Sequence, residues 1–391
     1  MIHVCEIMFQ RSGHVPFNAG FLATMQAAFP KEELSFYGGA THIEELKKQL
    51  GQPLASSIAW IEIQPVSPGI RYGKRFFREL GIIRRLLRNL SRDSTSRLVL
   101  TSGFPSTVLA LKVGRYLQWA NPAVQIVLHG FSGVVGKRYR QPIHRFQDMR
   151  TALTLLGNKN TQYIVLEQSV RDTIVKHLPF LSRHVEVLDH PIAPNEGASE
   201  TIELSAPIRF GFLGLASKAK GFPLFVKLAD EYAAKNGEFA EFHVIGHFLG
   251  DGPGPNVLKA LATKPGGSQM SRANFIQRLS SLHFVVLPYE VGSYTLTASG
   301  VLLDAIAWEK PVIARKIPIF EAMFEKYGDI GHLFGDDTEL VEVVDEILEY
   351  PDRSRYRNQV LNLRNARKAR APEILSVPYR KVCETGGLPP S

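Results

Sequence analysis

Residues 284–314 read FVVLPYEVGSYTLTASGVLLDAIAWEKPVIA, and the order of properties along them decides the fold. The apolar run 284–287 predicts a buried strand, stopped at Pro288. A polar loop then reaches Ser299-Gly300, an apolar-rich helix is expected over 301–308, and Lys310-Pro311 introduces a second short strand at 312–314. Strand, loop, helix and strand in that order form a βαβ unit, the building block of a parallel sheet covered by helices on both faces. In such a sheet ligands bind beyond the carboxyl ends of the strands, where helix N-termini present free N–H groups and favour anions. Thr297, Ser299 and Gly300 can therefore offer donors to a phosphate, and Asp304, one turn into the helix, can accept from a ribose hydroxyl pair.

The same rhythm extends in both directions. Upstream, strands are expected at 208–213 and 241–245, with helices at 222–234 and 273–281. The loop between the first of these strands and its helix, Gly214-Leu215-Ala216-Ser217-Lys218-Ala219-Lys220-Gly221, places glycines and lysines where a diphosphate would approach the backbone. Before residue 191 lie seven more strand-like runs, at 2–9, 34–37, 58–63, 98–101, 124–129, 163–166 and 185–188, separated by helical patterns such as 17–29 and 106–119. A polar segment rich in Pro, Gly and Ser, 191–200, reads as a linker between the two series.

The expected organisation is thus α/β, with two doubly wound, Rossmann-like parallel-sheet domains facing across a cleft. They occupy 1–195 and 196–360, and a basic helical tail, 361–391, crosses back to the first. With 391 residues, 45% apolar and 21% charged, the chain can bury a core in each.

The net charge of +9 is unevenly placed. Residues 1–195 contain 24 basic and 13 acidic side chains, and 196–391 contain 22 and 24. An anionic partner is therefore expected on the first domain. Residues 70–92 concentrate eight Lys and Arg against the single Glu79, with Phe76, Leu80, Ile83, Leu87 and Leu90 on one helical stripe. Such a basic amphipathic helix suits an anionic membrane surface as well as its own core. Lys137, Arg138, Arg140, Arg145 and Arg150 could bind an anionic acceptor, while the first half holds no zinc-finger or RNA-binding signature, so nucleic acid is not an expected partner.

Cys5 and Cys383 are the only cysteines, which excludes a disulfide framework and a thiolate metal site and fits a reducing compartment. No signal-peptide pattern and no apolar run of spanning length is present, so a cytoplasmic location, peripheral at the inner membrane face, is expected.

The loop ending in Lys220-Gly221, the sequence Leu287-Pro288-Tyr289, and the stretch from Ser299-Gly300 through Asp304 to Lys310-Pro311 resemble the C-terminal domain of retaining GT-B glycosyltransferases, the group that includes many bacterial polysaccharide and lipopolysaccharide glycosyltransferases. The motifs cover about 207–335, and the two-domain rhythm extends the likeness in outline over the chain. The resemblance implies transfer of a sugar from a nucleotide-sugar donor to a hydroxyl of a glycan, polysaccharide or lipid-linked acceptor, with retention; no metal or other cofactor is expected, because the site relies on lysine and the helix dipole and the sequence has no Asp-x-Asp motif.

By the same resemblance, Lys220 contacts the donor diphosphate, with Lys218, Thr297, Ser299 and Gly300 around it, and Asp304 holds the ribose. His129 lies near the donor sugar. Leu296 stands where the family's first glutamate contacts the donor sugar, so that role is either empty or taken by Glu290 of the preceding loop, a candidate catalytic residue with His129. His14, after the first strand, and Arg138 are expected on the acceptor side. Two other classes fit the same outline: a nucleotide-sugar epimerase of similar fold, and a non-catalytic binding protein, for which Leu296 is the main support.

Overall fold

The computed structural model describes the chain apart from residues 11–12, 68, 91–95, 119–121, 130–140, 198–200, 237, 249–251, 253, 268–269, 293–298 and 386–391. It divides into two compact units. Among the described residues the first comprises 1–195 together with 369–385, and the second 196–368.

Unit 1 is built on seven parallel strands: β1 (Ile2–Cys5), β2 (Leu34–Gly38), β3 (Ile58–Glu62), β4 (Arg97–Leu100), β5 (Ala123–Val127), β6 (Thr161–Val165) and β7 (Val185–Val187). Their order across the sheet is β3-β2-β1-β4-β5-β6-β7. The order reverses beside β1, and the loops after β1 and β4 open there, as expected of a doubly wound sheet.

Successive residues of a strand face opposite sides, and two separate cores result. Cys5, Leu98, Leu100 and Ile126 pack with Ile83 and Leu87 of the helix Tyr72–Leu90 and Val108 of the helix Pro105–Gln118. Val4, Val99, Val127 and Ile164 pack on the other side with the helix Val15–Ala28 and with Leu375, Tyr379 and Val382 of the last helix, Pro372–Thr385.

The first strand is shorter than the apolar run 2–9 that predicts it. The cause is Glu6, whose buried carboxylate accepts from the backbone N–H of Met8 at 2.9 Å and of Phe9 at 3.2 Å. Those donors are thereby taken off the sheet ladder and the chain turns, although Ile7 and Met8 remain buried.

Unit 2 has five parallel strands: β8 (Ile208–Leu215), β9 (Ala240–His247), β10 (Phe284–Leu287), β11 (Val312–Arg315) and β12 (Gly331–Phe334), in the order β12-β11-β10-β8-β9. Phe210 stacks on Phe242 and Phe284 at 5.3 and 5.8 Å between ring centres, which anchors the core beneath the helix Phe222–Asn236. Strand β12 was not expected, since a run of Gly-His-Leu-Phe carries little apolar signal. It pairs closely with β11, and a side chain at Gly331 would meet the Val312 carbonyl oxygen at 1.9 Å.

The chain leaves unit 2 later than the boundary at 361. Helix Arg353–Ala369 belongs to that unit, where Arg364 and Arg367 both pair with buried Glu309, at 2.8 and 3.0 Å. The next residue, Arg370, is fully buried in unit 1, pairs with Glu167 at 3.1 Å and donates to the His190 carbonyl at 3.2 Å. No helix among the described residues is long and apolar enough to cross a membrane.

Candidate functional site

In unit 2 the predicted donor residues gather beyond the ends of β8 and β10. Gly221 lets the two loops touch: its φ is +72°, and a Cβ there would lie 1.7 Å from the Pro288 carbonyl oxygen. The Glu290 N–H donates to the Ala219 carbonyl at 3.1 Å and ties the loops again. The short turn Lys218–Lys220 then directs Lys220 inward, its ammonium 5.9 Å from the centre of the Tyr289 ring and 3.2 Å from where a Cβ on Gly214 would stand. Burial lowers the Lys220 pKa to about 8 against the opposing pull of Asp304.

Asp304 is drawn both ways. Burial raises its pKa, opposed by Arg272 and Lys220. Its Oδ1 accepts from Arg272 at 2.7 Å, and Arg272 also pairs with Glu196 at 2.8 Å. Among the described residues Asp304 Oδ2 receives no hydrogen bond, which leaves one carboxylate oxygen for a ligand hydroxyl. Arg272 was missed by sequence reasoning: it starts the helix Arg272–Ser280 and reaches Asp304 only through the tertiary fold.

Ser299 behaves differently from its expected role. Its buried hydroxyl caps the helix Gly300–Ala307, accepting from the Leu302 N–H at 3.3 Å, and is hydrogen-bonded to Tyr289 at 3.0 Å. It is already used, so what the helix start offers an anion is its first-turn backbone N–H groups, which have no partner within a helix. Gly300 is exposed, with no atom within 4 Å of a notional Cβ.

Lys218 and Glu290 flank this group, on the other side of the contact between Gly221 and Pro288. They line a cavity of about 450 Å³ with Gly221, Lys227, Pro288 and Arg315, and neither Lys220 nor Asp304 belongs to its wall. Thr297 and Leu296 lie outside the described residues.

Unit 1 brings together three histidines beyond the ends of β1, β5 and β7. His14 holds the left-handed backbone conformation, with φ at +64°, a position rarely taken by a residue with a side chain and often found at functional sites. Its ring lies 4.2 Å from His129, nearly parallel, and 3.8 Å from Phe9. His190 stands edge-on to His129 at 5.3 Å. Burial, with the charges of His14 and His190, holds His129 well below the usual imidazole range, so it is neutral. Burial also takes His190 down to about 3; its Nδ1 donates to the Pro191 carbonyl at 2.8 Å. Among the described residues the buried Nδ1 of His129 has no hydrogen-bond partner.

Glu6, unanticipated as a site residue, lies beneath this cluster. Its carboxylate accepts from Asn18 at 3.2 Å, Thr101 at 3.0 Å and Ser102, besides the two backbone donors, and stands 3.7 Å from His14 Nδ1. Burial pushes its pKa up, but His14, Ser102 and the Met8 N–H together outweigh burial and hold it at about 2. Its only sequence signal is an acid ending an apolar strand. Arg138 lies outside the described residues, and no group of three potential metal ligands occurs among those described.

No protein-family model matches the chain, and no curated protein matches it by sequence. Solved structures do. An E. coli structure described as trehalose-6-phosphate bound with UDP-2-fluoro glucose superposes with a TM-score of 0.66 at 10% identity, over 100% of both chains. WaaG, a glycosyltransferase involved in lipopolysaccharide biosynthesis, gives 0.63 at 14% identity, over 99% of this chain and 100% of that one. The UDP-GlcNAc 2-epimerase from Neisseria meningitidis bound to UDP-GlcNAc gives 0.56 at 13%, over 98% and 100%. The fold is GT-B, as the motifs around Lys220 and Ser299 imply.

Proposed function

We propose that this protein is a glycosyltransferase that moves a sugar from a nucleotide-sugar donor to a hydroxyl, with unit 2 binding the donor nucleotide and unit 1 the acceptor. The observation that carries the reading is the joint placement of Lys220, the open helix start at Gly300 and the carboxylate of Asp304 beyond neighbouring strand ends. Lys220 and the first-turn N–H groups would stabilise the departing diphosphate, and Asp304 the ribose; this chemistry needs no metal. Two of the structural neighbours hold UDP-sugar ligands, which favours a nucleotide sugar as donor here. In unit 1, His129 would contact the donor sugar and His14 the acceptor, with Glu6 fixing the position of His14. Retention of anomeric configuration, and Glu290 as a replacement for the glutamate that contacts the donor sugar, rest on the family resemblance.

Lys220→Ala should lower the rate of acceptor-dependent nucleoside diphosphate release by about 10²- to 10³-fold, the usual effect of removing one preorganised donor to developing charge. Unchanged release would contradict the assignment. The histidine cluster and the epimerase neighbour favour a second reading, a nucleotide-sugar epimerase using acid and base groups in unit 1. Formation of an epimeric nucleotide sugar with no acceptor present would establish it.

The acceptor side is expected to work at an anionic membrane surface on the cytoplasmic face. Within helix Tyr72–Leu90 the only acid, Glu79, is buried and pairs with buried Arg75 at 2.9 Å, and it also accepts from Thr107 at 3.1 Å. The exposed face is therefore basic throughout, with Lys74, Arg78, Arg84, Arg85 and Arg88 around an outward Phe77 that is 71% exposed. That pattern suits a headgroup region.

A further inference from the structure

Beside the basic face of the helix Tyr72–Leu90, unit 1 holds a cavity that shares Phe77, Arg78 and Arg85 with that face. It has a volume of about 1120 Å³ and lies between the ends of β2 and β3 and one side of the helix Tyr72–Leu90. This is slightly above the ~300–1,000 Å³ typical of small-molecule sites. Its wall has two characters. Ile61, Ile82 and Phe77 present apolar surface, with Ile61 37% and Phe77 71% exposed, although β3 is part of the sheet. Arg78 and Arg85 stand on the same side, seven residues apart and so on nearly one helical face, about 10 Å along the axis. Neither arginine has an ion-pair partner among the described residues, and Glu62 is the one carboxylate of the wall.

The helix runs unbroken through Gly81, which lines the cavity and has no atom within 4 Å of a notional Cβ. Glycine weakens a helix interior relative to alanine, and the space it leaves adds to the cavity. Two guanidinium groups suit a phosphate monoester, which carries close to two negative charges at neutral pH and accepts the forked donors of arginine. The exposed apolar wall beside them suits an alkyl chain.

We propose that this cavity binds one molecule of a phosphate-bearing amphiphile, its phosphate at Arg78 and Arg85 and its apolar part against Ile61, Phe77 and Ile82. As a statement of acceptor class this rests on the glycosyltransferase reading. The binding itself is tested apart from it.

The test is calorimetric titration of the full chain with decyl phosphate below its micelle concentration. Saturable binding is expected, at least about tenfold tighter than for inorganic phosphate or an uncharged alkyl glycoside. Gly81→Phe fills the cavity from an open position and should abolish binding, Gly81→Ala should keep it, and Arg78→Gln with Arg85→Gln should weaken it at least about tenfold.

A nucleoside diphosphate that raises the melting temperature of the wild type should do so equally in each variant, which confirms folding and separates this site from the donor site. If none does while decyl phosphate binds, the cavity assignment stands and the glycosyltransferase reading falls. Competition by vesicles containing phosphatidic acid would identify the ligand as a membrane headgroup; decyl phosphate binding without vesicle competition would identify a dispersed amphiphile. Equal binding by Gly81→Phe, or no preference over inorganic phosphate, would overturn the proposal.

Discussion

Lys220 shows how the environment sets the chemistry of a single side chain. Burial holds its pKa near 8, and a bound diphosphate would favour the charged form and raise it. The sign follows: below pH 8 the free site already carries its positive charge, and above it binding must take up a proton. Affinity for a nucleoside diphosphate should therefore fall as pH rises through about 8, and Lys220→Arg should flatten the profile because guanidinium stays charged. Titrations across that range check this, and a profile identical in wild type and Lys220→Arg would oppose it. Glu6 is the reverse case, a fully buried carboxylate kept ionised chiefly by His14, with Ser102 and the Met8 N–H.

At the scale of elements, the helix Tyr72–Leu90 has to satisfy both a core and a solvent face. Ile83, Leu86 and Leu87 are buried, while Arg84 and Arg88 point outward. Each basic residue near an anionic surface contributes about 1 kcal/mol. Arg84→Glu with Arg88→Glu should thus weaken flotation with vesicles containing phosphatidylglycerol by about 2 kcal/mol or more, and unchanged flotation would remove this helix from any membrane role.

Most such elements are legible in the sequence because they rest on local pattern. The β-branched Val124, Ile126 and Val127 and the stripe of Ile83 and Leu87 state their burial directly. Strand β12 does not, because its identity depends on the close fit of Gly331 to β11. The same limit applies to the sites. Lys220 and Asp304 were readable from motif spacing. Arg272, Glu6 and His190 were not, since their partners lie 32, 95 and 180 residues away in sequence. Ser299 was read correctly as a helix start, but its hydroxyl is occupied by the cap it makes.

Over the whole molecule, the charge asymmetry and the two sheets divide the chain in one place. The basic excess lies in 1–195, and the diphosphate-binding candidates lie in 196–368. The last helix returns to unit 1 and docks there: Tyr379 meets Phe21 edge-on at 5.5 Å, and Arg370 joins Glu167 beneath the loop that carries His190. Each unit thus keeps its own core and its own candidate chemistry.

The central claim is that unit 2 binds a nucleotide through Lys220 and Asp304. Thermal denaturation of the wild type, Lys220→Ala and Asp304→Ala with a panel of nucleoside diphosphates tests it most directly. The account predicts that at least one of them raises the wild-type melting temperature and that both variants lose most of that shift. The absence of a shift with every nucleoside diphosphate, or an undiminished shift in both variants, would contradict it.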